Sequence, residues 1–458
     1  MPVIEKKMRT ANDAFQPSAM MGAVLALSGI EGVEIAFHGP SGCYTIAGHY
    51  RTDQAPMGVY SSMRPSGVTE DNLVMGTSME KLSQLIKFMK MTFKKDRSRL
   101  FAIVNTDSTA ITGDDILGAA RRFEKEMGFP AIAVDAPGFK GWDVVGYDLS
   151  YRALLGKFAP GDSLAKIPDS VNIIAPYMLH SQNWIFDFEE IRSLLARLGI
   201  RINCVLTRNT RIEDIKNFSA AQWNLHLSAE DFPSFQKEAD RLAVPSFGAD
   251  LPLPYGIANT EAWFLGVARQ FGKEEKAREI LTEDSKRVKS ILGFNYTYTW
   301  LANLLMQKRV AVIGREKFAA SIARALFYDF DAYPDVVILQ GSGRSAFERS
   351  KALLADIEKD GYSVKIMENP SYIEVARLIQ ESEVDFVIGS RIEKPLIEGM
   401  RFPHLSLGSA GYFQSFRFVP YPYVGYNGVL YLLQELGLVM HDMMTEKEMW
   451  RGLRFKNI

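Results

Sequence analysis

Cysteine is scarce enough in this chain for its placement to carry chemical meaning, occurring only at Cys43 and Cys204. Cys43 follows Val33–Phe37, a short apolar run with the length of a buried strand. Between them lie His38, Gly39, Pro40, Ser41 and Gly42. Two glycines and a proline cannot continue a ladder, so this segment reads as a turn. Cys43 is therefore expected on a tight, glycine-flanked loop beyond the strand, where backbone comes close enough to take a bulky inorganic ligand. With one other cysteine in the chain, it cannot belong to a self-contained metal site. It either gives one ligand to something shared or packs as a small hydrophobe, the commoner fate of a lone cysteine.

The other candidates have blander readings. Asp107 and Ser108 follow a second apolar run, Leu100–Val104, where capping of a turn or helix competes with metal ligation. Gly341 and Gly343 lack a third glycine in register, because Ala346 stands there, so a plain strand-to-helix turn outweighs a nucleotide loop. No Gly-x-x-x-x-Gly-Lys-Ser/Thr segment is present, so ATP chemistry would have to come from a partner. The six histidines show no metal-ligand spacing, and no Ser/His/Asp set is identifiable. Tyr421–Tyr426 forms an aromatic turn leading into an apolar helix, which reads as domain packing.

The 458 residues suffice for two to four domains, and 47% hydrophobic content indicates a globular chain. A formal net charge of −1 gives no electrostatic reason to expect nucleic acid or an anionic membrane as partner. No apolar run approaches the roughly 20 residues of a spanning helix. The charged stretch Met1–Arg9 does not resemble a secretory signal, and two cysteines exclude a disulfide framework. A cytoplasmic protein is expected.

The elements that must position Cys43 and Asp107 alternate along the chain. Ser18–Leu27 reads as a helix entering the core, stopped by Gly29 and Gly32. After the two strands comes a helix over Ile116–Met127, with Asp114 and Asp115 at its positive end, then a strand at Ala131–Val134. The pattern restarts with strands at Val171–Ala175 and Ile200–Leu206 and helices at Asp187–Leu198 and Phe232–Leu242. Gly272–Arg287 is dense in alternating charge and reads as an exposed helix. A third unit runs through strands at Arg309–Gly314, Val336–Leu339, Val364–Met367 and Val384–Gly389, with helices at Phe318–Phe327, Ser345–Asp360 and Ile373–Gln380. Such alternation predicts an α/β fold of three doubly wound, Rossmann-like parallel-sheet units, divided as 1–165, 166–305 and 306–458. Ligands in such sheets sit beyond the carboxyl ends of the strands, where Cys43, Asp107 and the segment Gly389–Lys394 all fall.

Taken in order, several pieces resemble component 1 of the nitrogenase superfamily, and specifically its beta-type subunits. They are Gln16–Pro17 with Met21–Val24, then Phe37–Cys43, Val68–Asp71 with Gly76, Thr112–Asp115, Gly141–Trp142, Asp385–Ser390 and Val424–Gly428. In catalytic beta subunits three cysteines serve an eight-iron cluster shared with the alpha subunit. Here the first of those positions falls at Phe15 or a neighbour and the third near Asp107 and Ser108, so that only Cys43 survives. The pattern is closer to the beta-type subunit of the cofactor-maturation scaffold or of chlorophyllide reductase. The resemblance then implies a [4Fe-4S] cluster with three cysteines from an alpha-type partner and Cys43 from this chain. A cluster normally needs four protein ligands. Backbone at Gly39, Ser41 and Gly42 would lie near the sulfides, with Asp107 as a minor oxygen-ligand alternative. The resemblance further implies a complex of two alpha-type and two beta-type chains, fed by a separate ATP-hydrolysing iron–sulfur reductase. Met440 and His441 are expected at the exposed end of the closing helix and are not counted as cofactor anchors. The alternative is a cluster-free α/β subunit that kept the architecture as a structural partner or small-molecule binder.

Overall fold

The computed structural model of the chain describes residues 17–54, 60–92, 96–161, 164–294, 305–408 and 421–452; Phe15 and Gln16 lie outside them. Three parallel sheets organise these residues. The first contains β1 (Val33–His38), β2 (Ser62–Pro65), β3 (Leu100–Asn105) and β4 (Ala131–Val134), in the order β2–β1–β3–β4. The second contains β5 (Ser170–Ile174), β6 (Arg201–Leu206), β7 (Trp223–His226) and β8 (Ser246–Phe247), in the order β6–β5–β7–β8. The third contains β9 (Arg309–Arg315), β10 (Tyr333–Gln340), β11 (Lys365–Glu368), β12 (Phe386–Gly389) and β13 (His404–Ser406), in the order β11–β10–β9–β12–β13.

Side chains alternate across each sheet because successive residues of a strand point to opposite faces. Val33, Ile35 and Phe37 of β1, with Leu100, Ala102 and Val104 of β3, enter a core that runs through all three units. Ala36, Phe101 and Ile103 face the other way, into a separate cluster with Leu82, Ile116 and Phe123. The third sheet repeats this, with Val310 and Val312 in the shared core and Ala311 and Ile313 in an outer cluster. Both faces are covered, so these strands read as continuous apolar runs.

The connections place the termini of the strands. Helix α1 (Ala19–Ser28) is apolar on every side and buried along its length. It lies against a later helix, α7 (Asp143–Phe158), close enough that a Cβ on Gly22 would sit 1.9 Å from the Asp143 carbonyl oxygen. A Cβ on Gly146 would meet the Ala19 carbonyl oxygen at 1.8 Å, so only glycine permits this approach. Between the two come α2 (Ser41–Gln54), α3 (Glu70–Val74), α4 (Ser78–Thr92), α5 (Asp107–Ile111) and α6 (Ile116–Met127). The strand-poor segments hid α2, α4 and α7 from sequence reading, and Arg64 and Asn224 disguised the short strands β2 and β7. Asn224 is buried in β7 because the Asn172 amide, on neighbouring β5, donates to its side-chain oxygen at 3.0 Å.

Two expectations are corrected. The glycines around Cys43 do not form an extended loop: the chain turns at Gly39 and Pro40 and enters α2 at Ser41. Proline just before a helix and glycine in its first turn are both compatible with helical backbone, where the first amides need no intrahelical partner. The charged helix Glu274–Phe294 is not exposed all round. Ala277, Leu281, Asp284 and Val288 form one buried face, with Arg197 paired to Asp284.

Candidate functional site

In the first and second sheets the strand order reverses beside the first strand of the unit, at β1/β3 and at β5/β7; in the third it reverses at β9/β12. These are the switch points at which doubly wound sheets leave a crevice beyond the carboxyl ends. Cys43 and Asp107 flank the first of them: Cys43 is the third residue of α2, which leaves β1, and Asp107 begins α5, which leaves β3.

The two connections are pressed together. A Cβ on Gly39 would lie 2.3 Å from Thr106 Cγ2, so the turn between β1 and α2 tolerates only glycine there. Gly42, by contrast, has nothing within 4 Å of its Cβ position, and Ser41 is exposed. The Cys43 thiol is half-buried. Burial and the nearby Asp107 carboxylate push its pKa up, so in the isolated chain it stays protonated at neutral pH. Cys204 lies buried on β6 and is inert. Asp107 caps a neighbouring turn and not its own helix: its Oδ1 accepts from the Phe139 amide at 3.1 Å. Asp115 caps α6 by accepting from Gly118 N–H at 2.7 Å, as its place before the helix suggests.

Asp114 does something the sequence did not reveal. Its Oδ2 accepts from His38 Nε2 at 2.7 Å, while His38 Nδ1 takes the Ser66 hydroxyl at 3.0 Å. Burial lowers the His38 pKa against the opposing pull of Asp114, which favours a neutral ring donating through Nε2 and accepting through Nδ1. Three residues far apart in sequence are thus joined at the carboxyl edge of the first sheet.

A second feature lies where the three units meet. A small pocket of about 30 Å³, room for roughly two waters, is lined by Tyr50 and Asp143 of the first unit, Tyr177 and His180 of the second, and Arg315 and Ser390 of the third. Arg315 Nη2 donates to Asp143 Oδ1 at 2.8 Å, and its guanidinium lies over the Trp142 ring. Arg315 Nε and Nη1 and Asp143 Oδ2 have no hydrogen-bond partner among the described residues. Burial raises the Asp143 carboxyl, and burial with the charge of Glu230 raises Glu316 to about 8. Gly389–Lys394 belongs to this junction through Ser390 and does not join the residues that flank the first switch point. Gly341 and Gly343 are no nucleotide loop: Glu230 fills the turn, accepting from Ser342 N–H at 2.9 Å and Ser342 Oγ at 3.0 Å.

A sequence model of the nitrogenase component 1 type oxidoreductases matches residues 18–440. The chain belongs to that family. It is 23% identical over 435 residues to the nitrogenase iron-molybdenum cofactor biosynthesis protein NifE of Sinorhizobium fredii, covering 93% of this chain and 81% of that protein. It is 22% identical over 459 residues to the nitrogenase iron-iron protein beta chain of Rhodobacter capsulatus, covering 93% of each. The structure titled "Nitrogenase Cp1 at pH 6.5" superimposes with a TM-score of 0.76 at 19% identity, covering 94% of this chain and 93% of that one. This component 1 family member keeps the family fold of three parallel sheets.

The family motifs acquire physical reasons. Gly22 lies against Asp143, and Trp142 pairs with Ser18, where Ala19 N–H donates to Gly141 O at 2.8 Å and Asp143 N–H to Pro17 O at 2.7 Å. Of the residues proposed as iron ligands, only Cys43 offers a thiol. Among the described residues no group of three or more His, Cys, Asp or Glu could hold a metal ion. The residues present therefore fit a share in a cluster and not a whole one.

Proposed function

We propose that this chain is the beta-type subunit of a nitrogenase-like component 1 complex, and that Cys43 supplies one ligand to an iron–sulfur cluster completed by an alpha-type partner. The observation that carries the reading is the single half-exposed thiol in the first turn of α2, at the switch point of the first sheet, next to an open position at Gly42. The surface around that edge supports it. Ile46 on α2, Val74 and Met75 after β2, Ile111 at the end of α5 and Phe139 after β4 are all large apolar side chains left exposed. Such side chains on the connections of one sheet edge suit a protein interface.

In this reading a [4Fe-4S] cluster supplies one-electron transfer when bound. Cys43 must lose its proton to ligate it, which a metal favours over a proton. The exposed amides of the first turn of α2 lower the energy of nearby negative charge. Asp107 stays with the turn it caps and is the secondary candidate. Two alpha-type and two beta-type chains, served by a separate ATP-hydrolysing iron–sulfur reductase, complete the assembly.

The test is anaerobic co-expression with the partner that co-purifies. A brown complex whose iron is lost in Cys43→Ala supports the ligand role, and full iron occupancy in that variant removes it. A colourless, iron-free wild-type complex supports the cluster-free subunit instead. ATP-dependent substrate reduction by the complete system assigns a reductase, whereas transfer of a preformed cluster assigns a maturation scaffold.

A further inference from the structure

The Ser66–His38–Asp114 chain has the members of a hydrolytic triad, but its geometry serves another end. Ser66 Oγ already accepts the Gly39 amide at 3.1 Å, so its hydroxyl is occupied at both ends. The cavity at the junction of the three units is lined by none of these three residues.

The connections they hold are informative. His38 is the last residue of β1, fully buried, and five residues ahead of Cys43. Its ring spans from Ser66, just after β2, to Asp114, just before α6. The Asp114 Oδ1 then accepts from Ser78 at the start of α4 at 2.8 Å and from Thr112 at 3.1 Å. The His38 carbonyl accepts from Thr106 N–H at 3.1 Å and Thr109 Oγ1 at 2.9 Å, which binds the turn before Asp107 to the same residue. On the other side Ser66 anchors the Gly39 amide, one residue before the proline that opens α2. One imidazole therefore ties together the strand that feeds Cys43 and the loops after β2 and β3.

We infer that His38, held by Asp114 and Ser66, is a positioning residue that fixes the first turn of α2 and so sets the exposure and orientation of the Cys43 thiol. The consequence for iron rests on the shared-cluster reading above; the consequence for the thiol does not. Packing restrains the later part of α2 through Tyr44, Ala47 and Tyr50, whereas Ser41 and Gly42 at its start are exposed, so the hydrogen bonds behind them bear on how that start is held.

The experiment uses the full-length chain and iodoacetamide as probe, with mass-spectrometric readout at Cys43 and Cys204 across a pH series. In the folded wild type Cys43 reacts and buried Cys204 is protected, which reports folding in the same sample. His38→Leu is expected to speed Cys43 alkylation on the order of tenfold, the rise in open population that losing a buried hydrogen bond produces, with Cys204 still protected. His38→Gln places an amide where Nε2 stood, keeps the Asp114 bond and is expected to give an intermediate rate. Should His38→Leu expose Cys204 as well, Ser66→Ala decides, because it releases the Gly39 amide and the Nδ1 side of the ring while leaving the buried imidazole and its Asp114 bond in place. An unchanged Cys43 rate and pH profile in a variant that keeps Cys204 protected overturns the inference. In the co-purified anaerobic complex, His38→Gln should also shift the electron paramagnetic resonance signal of the reduced cluster. A wild-type complex without iron would sink the cluster reading while leaving the alkylation result to judge His38.

Discussion

Arg315 at the carboxyl end of β9 and Asp143 at the start of α7 are 2.8 Å apart and both closed to solvent, so one ion pair joins the third unit to the first. Glu230, at the carboxyl end of β7, stands 3.9 Å from the same guanidinium and brings in the second unit. Buried charges hold only while paired.

Asp143→Ala should therefore lose about 3 kcal/mol or more of stability, because it removes the carboxylate that hydrogen-bonds the buried Arg315 guanidinium. Denaturant unfolding measures this. The double variant Asp143→Leu with Arg315→Met should recover most of the loss, since apolar groups of similar volume need no partner. Equal losses in the single and double variants would mean that the pair does not couple the units.

Gly39 and Gly42 make opposite predictions on either side of Pro40. Gly39→Ala drives a methyl into Thr106 and should destabilise by about 1–3 kcal/mol. Gly42→Ala meets only open space within the chain and should leave its thermal stability unchanged or raised by up to about 1 kcal/mol. If Cys43 ligates a shared cluster, Gly42→Ala should nonetheless reduce iron in the complex. A Gly39→Ala chain as stable as wild type would show that the turn does not need this close approach.

The exposed apolar edge predicts a separation of folding from assembly. Val74→Glu and Ile111→Glu alter side chains that are 81% and 76% exposed, so each should change stability by no more than about 0.5 kcal/mol. Co-purification of the partner should fall sharply in both. Full recovery of the complex with both charges present would place the interface elsewhere.

Asp187 gives the stability a dependence on pH. Burial pushes its carboxyl up to about 7, against hydrogen bonds from Ser181 and from the Tyr423 amide. Between about pH 4 and pH 7 the folded chain keeps a proton that the unfolded chain has released, so this group's contribution to stability falls as pH rises through that window and levels off above it. Asp187→Asn removes the titration. Urea midpoints of the variant should rise relative to wild type as pH increases across the window. A constant difference between the two would exclude Asp187 as the source.

Sequence alone determined the three doubly wound units, because fully covered parallel strands leave apolar runs such as Leu100–Val104 in β3, Val336–Leu339 in β10 and Phe386–Ile388 in β12 that no surface element could carry. It also singled out Cys43 and Asp107, since strand ends in such sheets are where ligands sit. Local signals misled it at Ser41–Cys43, where glycine and proline suggested a loop but the chain is already in the helix Ser41–Gln54. Only the tertiary structure brought Ser66, His38 and Asp114 together, or placed Asp143, Glu230 and Arg315 around one point. Hydrophobic periodicity records which face of an element is buried, whereas the pairing of polar groups depends on which loops the sheet order makes neighbours, and that order is not written in any one segment.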